Sequence, residues 1–288
     1  MSSNRDALAM VRLEALTERS SGAGSVGIGL VDGPVASDHP DFAGASIRPV
    51  AGRGAACQRS GSGACAHGTF VAGILVARRG SPAPSICPGC TLLVRPIFWE
   101  TADTSRPPTA TPEEVAQAIF ECVDAGARIV NLSAATGEPT TRSERALTQA
   151  LDHAAARGAL VVAAAGNQGT LGSSAITRHP GVIPVVAYDR AGRPLEQSNL
   201  GSSPGRRGLG APGDAIVSLT SSGPPVTHGG TSFAAAFVTG AIALLWSLFA
   251  TVDAGRLRWA LAQGPGRRSV VPPLLDAERA YATLAGQG

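Results

Sequence analysis

The stretch TPEEVAQAIFECVDAGARIVNLSAATGEPTTRSERALTQALDHAAARGALVVAAAGN, residues 111–167, decides the fold because it contains one structural unit twice. Thr111 offers a hydroxyl N-cap, Pro112 suits the first helical position, and Glu114 completes a capping box. The helix they open ends near Gly126, a natural left-handed stop. Arg128 to Ser133 follows as a short apolar run of strand type. The pattern then repeats. Thr141 with Glu144 starts a helix, Gly158 stops it, and Leu160 to Ala165 is the next strand. Helices between short apolar runs are βαβ units, which build parallel sheets.

Working outward, strands are expected at Val26 to Val31, Thr91 to Pro96, Val182 to Ala187 and Ala215 to Ser218. The 288 residues fit one doubly wound α/β domain, with a central, mostly parallel sheet flanked by helices. In such sheets sites form at the carboxyl ends of the strands.

Bulk properties exclude several classes. With 44% hydrophobic and 16% charged residues, the chain is globular rather than disordered. A net charge of +3, all 24 basic residues being Arg, gives no case for a nucleic-acid partner. Residues 1–20 lack the apolar core of a secretory signal and read as a short amphipathic helix with Leu8, Val11, Leu13 and Leu16 toward one side. Phe233 to Ala250 has the length and apolarity of a membrane span, but it follows a Gly-Gly-Thr-Ser turn and is rich in small residues. It is expected as a helix buried all round, with no membrane contact.

Four polar residues sit just after apolar runs or at a helix start. Asp32 ends Val26-Gly-Ile-Gly-Leu-Val31, and a rigidly held carboxylate there suits orienting a histidine. His67 lies among small residues in Ala66-His67-Gly68-Thr69. Ser232 opens a long apolar helix, its hydroxyl near the positive helix end, and needs a base to become a nucleophile. Asn167 follows the strand ending at Ala165, where a side-chain amide suits an oxyanion donor. Each alone reads equally as a turn, cap or core residue. Together they run Asp, His, Ser, with the Asn between His and Ser, which is one of the known chain orders of a catalytic triad.

On these residues, with His39-Pro40-Asp41, Asn131-Leu-Ser133, Ala165-Gly-Asn167 and Gly230-Thr-Ser232, the sequence resembles the subtilase family from about Val26 to about Tyr281. The resemblance implies Ser232 as nucleophile, His67 as general base and then acid, and Asp32 as orienting acid. It implies Asn167 and the Ser232 N–H as oxyanion donors. Ser133, Ala134 and Ala135 would form one edge of the primary specificity pocket, and Ala164, Ala165 and Gly166 the other. It divides the chain into an N-terminal helical extension, 1–25, and a peptidase domain, 26–288. Departures from the family pattern are Gly33-Pro34 after the Asp, where Ser or Thr then Gly is usual, Phe70 for a second His, Ala236 for a Pro, and Ala135 for a Gly. None removes a catalytic group.

Within the family, Asp32-Gly-Pro-Val35, Leu92 to Phe98 and Gly230 to Ala235 resemble the proteases that mature cyanobactin peptides, specifically the leader-removing kind. Only 34 residues separate Asp32 from His67, too few for the capping helices of the macrocyclising kind. The resemblance implies hydrolysis of a peptide or precursor-peptide substrate, with a general degradative protease or a catalytically dead binding module as alternatives. Asp41 matches a family calcium ligand, but Arg78 to Pro84 offers no further oxygen ligands, so no required metal and no cofactor is expected. Five cysteines without an export signal default to reduced thiols in a cytoplasmic protein. A Cys57–Cys65 disulfide and a metal held by Cys87-Pro-Gly-Cys90 are the alternatives. The sequence sets no oligomeric state.

Overall fold

A computed structural model describes residues 2–50, 56–59, 61–100, 110–133, 141–264 and 269–286. The chain opens with α1 (Ser2–Met10) and α2 (Glu14–Arg19), then β1 (Gly27–Asp32), β2 (Ser46–Pro49), α3 (Gly63–Val76) and β3 (Thr91–Pro96). The repeated unit gives α4 (Pro112–Asp124), β4 (Ala127–Leu132), α5 (Thr141–Ala156) and β5 (Leu160–Ala164). Next come α6 (Ala175–Arg178), β6 (Val182–Tyr188), α7 (Ser202–Arg207), β7 (Leu209–Pro212), β8 (Ile216–Ser218) and β9 (Val226–His228). Helices α8 (Thr231–Leu248), α9 (Ala254–Leu261) and α10 (Ala277–Ala285) complete it.

The predicted capping box is formed: Thr111 accepts from the Glu114 N–H, and Glu114 reaches back to the Thr111 N–H at 3.0 Å. Seven strands form one sheet in the order β2-β3-β1-β4-β5-β6-β7, and every neighbouring pair is parallel. Alternate strand residues face two apolar layers. Ile28, Leu30, Ile129 and Val162 pack with α3 and α8, while Val31, Val130, Leu132 and Val161 pack with α4 and α5. This is the expected doubly wound α/β fold.

Three details differ from the sequence reading. Strands β2 and β7 at the sheet edges were not anticipated. The run expected as a strand at Ala215 to Ser218 is β8, which leaves the main sheet and pairs antiparallel with β9. The N-terminal amphipathic helix is two helices, broken where Arg12 adopts φ 53°. Val11, Leu13 and Leu16 are fully buried in the main core, so these helices are part of the domain's packing. Asn4 adds a second anchor. Its amide donates to Val217 O at 2.9 Å and accepts from Val217 N at 3.1 Å, pairing with the outer edge of β8.

The segment resembling a membrane span is α8, buried between the sheet and neighbouring helices. Its first turn lies at the carboxyl ends of β4 and β5, where Thr231 and Ser232 bond Gly166 and Ser133, and the helix runs back along the sheet to Trp246, which packs on Arg128 near the start of β4.

Candidate active site

Asp32 is the last residue of β1 and is fully buried. Its Oδ1 accepts from the Gly33 N–H at 2.6 Å and from His67 Nδ1 at 2.6 Å. His67 sits in the second turn of α3, whose N-terminus is capped by Ser62. The close approach of α3 to the β1 end depends on two glycines. A Cβ at Gly33 would lie 1.9 Å from Ala64 O, and one at Gly68 would lie 2.5 Å from Gly33 O. The first contact accounts for the departure after Asp32. The Ser or Thr usual there in the family would collide with α3, so Gly stands in its place; among the described residues the buried Asp32 Oδ2 has no hydrogen-bond partner.

Burial lowers the His67 pKa, but the charge of Asp32 and their hydrogen bond outweigh it, leaving it raised above 6.5. A carboxylate at Nδ1 fixes the tautomer that leaves Nε2 free to accept a proton. The ring is boxed by Phe98, edge-on at 6.5 Å, and Phe233 at 5.5 Å. Phe70, in place of the family's second His, packs on Phe233 at 4.4 Å.

Ser232 lies in the first turn of α8, after Gly230 with φ 148°, a backbone region that favours glycine. Its hydroxyl donates to Ser133 O at 3.2 Å. The next residue, Phe233, packs on the His67 ring at 5.5 Å, which brings the start of α8 beside the imidazole. Asn167 Oδ1 accepts from Thr231 N at 2.9 Å and Thr231 Oγ1 at 3.1 Å. Both contacts hold the amide by its oxygen and leave its Nδ2 donors uncommitted to Thr231. The sequence reading missed Thr231, whose hydroxyl also accepts from Gly166 N at 3.2 Å. Its place between Gly230 and Ser232 was the available signal. Asn131 was missed as well. It donates to Ser133 Oγ at 2.9 Å and accepts from Thr239 at 2.8 Å, fastening the end of β4 to α8.

Of the expected pocket residues, Ser133 contacts Ser232, while Gly166 contacts Thr231 and follows Ala164 and Ala165 at the end of β5. Ala134 and Ala135 lie outside the described residues. Beyond Asn167 a cavity of about 870 Å³ opens over the loops after β6 and β7, lined in part by Gln168, Asp189, Glu196 and Gly229.

One expectation about the cysteines changes. Cys57 and Cys65 are joined in a disulfide, against the default of reduced thiols, while Cys87, Cys90 and Cys122 are free and buried. Among the described residues, Cys57, Cys65 and Glu100 form the one cluster with metal-ligand spacing. Sulfurs bonded to each other cannot both serve as thiolate ligands, so that cluster does not fit a metal. The Glu100 carboxylate instead accepts from Gln58 N, Arg59 N and Ser62 Oγ, holding the loop closed by the disulfide. Asp41, the residue matching a family calcium ligand, pairs with Arg78 at 2.8 Å.

A parallel sheet with an Asp–His pair, a helix-borne Ser and a strand-end Asn at its carboxyl edge defines a subtilisin-like serine protease. The subtilase family profile matches residues 23–263, and the chain belongs to that family. Fervidolysin of Fervidobacterium pennivorans is 29% identical over 269 residues, covering 85% of this chain. The chain spans 38% of fervidolysin's length. The patellamide maturation protease PatA has a solved structure 31% identical at a TM-score of 0.75, covering 92% of this chain and 98% of that one. The prenylagaramide maturation protease PagA is 28% identical at 0.82, covering 95% and 98%.

Proposed function

We propose that this chain is a serine endopeptidase that removes the leader from a ribosomally made, modified precursor peptide. Ser232 turns from Ser133 to His67 and attacks the scissile carbonyl. His67 Nε2 takes the hydroxyl proton and later gives it to the leaving amine, while Asp32 holds the ring and stabilises its charged form. Asn167 Nδ2 and the Ser232 N–H bind the oxyanion. Ser133 lies on one wall of the primary pocket, and Ala164, Ala165 and Gly166 on the other. The observation that carries the chemistry is the 2.6 Å contact of Asp32 with His67 on a helix that packs beside α8. Support for peptide maturation comes from the likeness to PatA and PagA, both maturation proteases. The 34 residues between Asp32 and His67 favour hydrolysis over macrocyclisation.

Mass spectrometry of wild type and Ser232→Ala, each incubated with a peptide library and unfolded casein, tests this reading. Selective cuts by wild type alone are expected. Broad digestion of casein would replace maturation with a degradative role, and no cutting by wild type would sink the catalytic assignment.

A further inference from the structure

Away from the catalytic residues, at the amino ends of β6 and β7, lies a cavity of about 350 Å³. Ile183, Leu209 and Leu261 line it with apolar surface, and Arg206, Arg207 and Arg258 line it with charge. Part of this charge has a structural role. Arg207 Nη2 donates to Thr177 O at 3.2 Å and Arg178 O at 2.8 Å, and Arg258 Nη2 to Val182 O at 3.0 Å. For Arg206 and Arg207 the rest is unexplained by the fold. Among the described residues the buried Arg207 Nε–H has no partner. Among the described residues no carboxylate pairs with Arg206 or Arg207. The neighbouring Arg178, by contrast, is taken by Glu144. Three guanidiniums around one cavity, in a chain whose net charge is +3, concentrate positive potential at one place.

Guanidiniums favour carboxylate or phosphate by paired N–H donors. The apolar surface beside them is covered only by a ligand that also carries an apolar group. We propose that this cavity is a second binding site for the peptide substrate, taking a segment in which a leucine-sized side chain is flanked by acidic residues. The proposal rests on the reading of the chain as a selective peptide-cutting enzyme. β6 runs from this cavity toward the catalytic end of the sheet over seven residues, about 20 Å at roughly 3.3 Å each. A substrate therefore reaches both places when about ten residues separate the acidic segment from the scissile bond. Binding there raises local substrate concentration and lowers KM without changing kcat.

The test uses Ser232→Ala protein and three fluorescein-labelled hexapeptides, EELEEL, QQLQQL and EEGEEG, read by fluorescence anisotropy at low and high salt. EELEEL should bind at least about tenfold more tightly than either other peptide, and weaken as salt rises. Arg206→Glu and Ala262→Glu should each weaken it about tenfold. Arg206 and Ala262 are both exposed, so neither variant disturbs the core. Equal binding of EELEEL and QQLQQL, or no effect of either variant, would overturn the proposal. EEGEEG binding as tightly as EELEEL, with displacement by inorganic phosphate, would make this a bare anion site and overturn it too. In wild type, a reporter peptide carrying EELEEL through a ten-residue Gly-Ser linker at one end or the other should show about tenfold lower KM at equal kcat. Arg206→Glu should abolish that gain and leave cleavage of the untethered reporter unchanged. The binding arm needs no catalysis, so a wild type that cuts nothing refutes the proposed function alone.

Discussion

Gly33→Ala should disable catalysis while leaving the fold standing. The added Cβ would lie 1.9 Å from Ala64 O, and real Cβ atoms essentially never approach within 3.0 Å, so the end of β1 and the start of α3 must part by about 1.1 Å. Ala64 is three residues before His67 on the same helix, so the movement passes to the imidazole. The Asp32–His67 contact stands at 2.6 Å, and a parting of that size along it exceeds the ~3.2 Å limit of a good hydrogen bond. A misplacement of about 1 Å costs on the order of 10²-fold in rate, and full loss of the orienting carboxylate about 10⁴-fold. kcat on a reporter peptide should fall within that range, with the far-ultraviolet circular dichroism unchanged. Gly61→Ala is the control, because a Cβ there meets nothing within 4 Å. Wild-type kcat in Gly33→Ala would refute the claim that this close approach holds the pair together.

Further outcomes follow from the same geometry. kcat/KM should fall on the acid side as His67 becomes protonated, with a midpoint above pH 6.5 because its pKa is raised. The same sign means that the charged pair stabilises the fold fully below about pH 6.5. That contribution disappears as pH rises through the folded-state value, and thermal melts across the window check it. Asn167→Ala should lower kcat roughly 10²–10³-fold with little change in KM, the loss measured for the matching donor in subtilisin; equal loss in both parameters would move Asn167 to ground-state binding. Cys57→Ser removes a disulfide of sequence separation 8, worth about 2.5 kcal/mol by loop closure, or roughly a 5 °C fall in Tm. Thiol titration of denatured wild type should find three free thiols before reduction and five after; five before reduction would show that the bridge does not form.

The sequence was most informative where local chemistry and periodicity agree. The capping box at Thr111, the glycine stops and the apolar runs of the central strands are local signals, and the structure follows them closely. Edge strands carry weaker signals. β2 is Ser-Ile-Arg-Pro and half exposed, and β7 is Leu-Gly-Ala-Pro, buried but only four residues long with Gly and Pro that read as a turn. β8 was legible as a strand but not its partner, because period-2 alternation does not encode which edge a strand meets. The amide pairing of Asn4 with Val217 spans 213 residues, and the break at Arg12 is a left-handed turn made without a Gly or Pro to announce it. The Cys57–Cys65 pairing is of the same kind: a separation of eight residues allows it, but the fold has to bring the two Cα atoms to 5.6 Å.

The candidate site was readable because each of its polar residues lies at the end of a legible element. The supporting contacts were not, and they explain the unusual residues. Phe70 completes an aromatic cluster with Phe233 and His228, a role the usual His would fill less well in that apolar setting. Gly33 exists because α3 passes over it. Among the described residues Asp32 is held through Oδ1 alone, by one backbone N–H and one imidazole, with Oδ2 unpartnered. A carboxylate with a hydroxyl donor on its second oxygen would tolerate small shifts of its histidine. This one depends on the spacing between β1 and α3, and that spacing is set by two glycines and the Ser62 cap that begins the helix. Catalytic geometry here is therefore inherited from helix–strand packing more than from side-chain hydrogen bonds around the carboxylate.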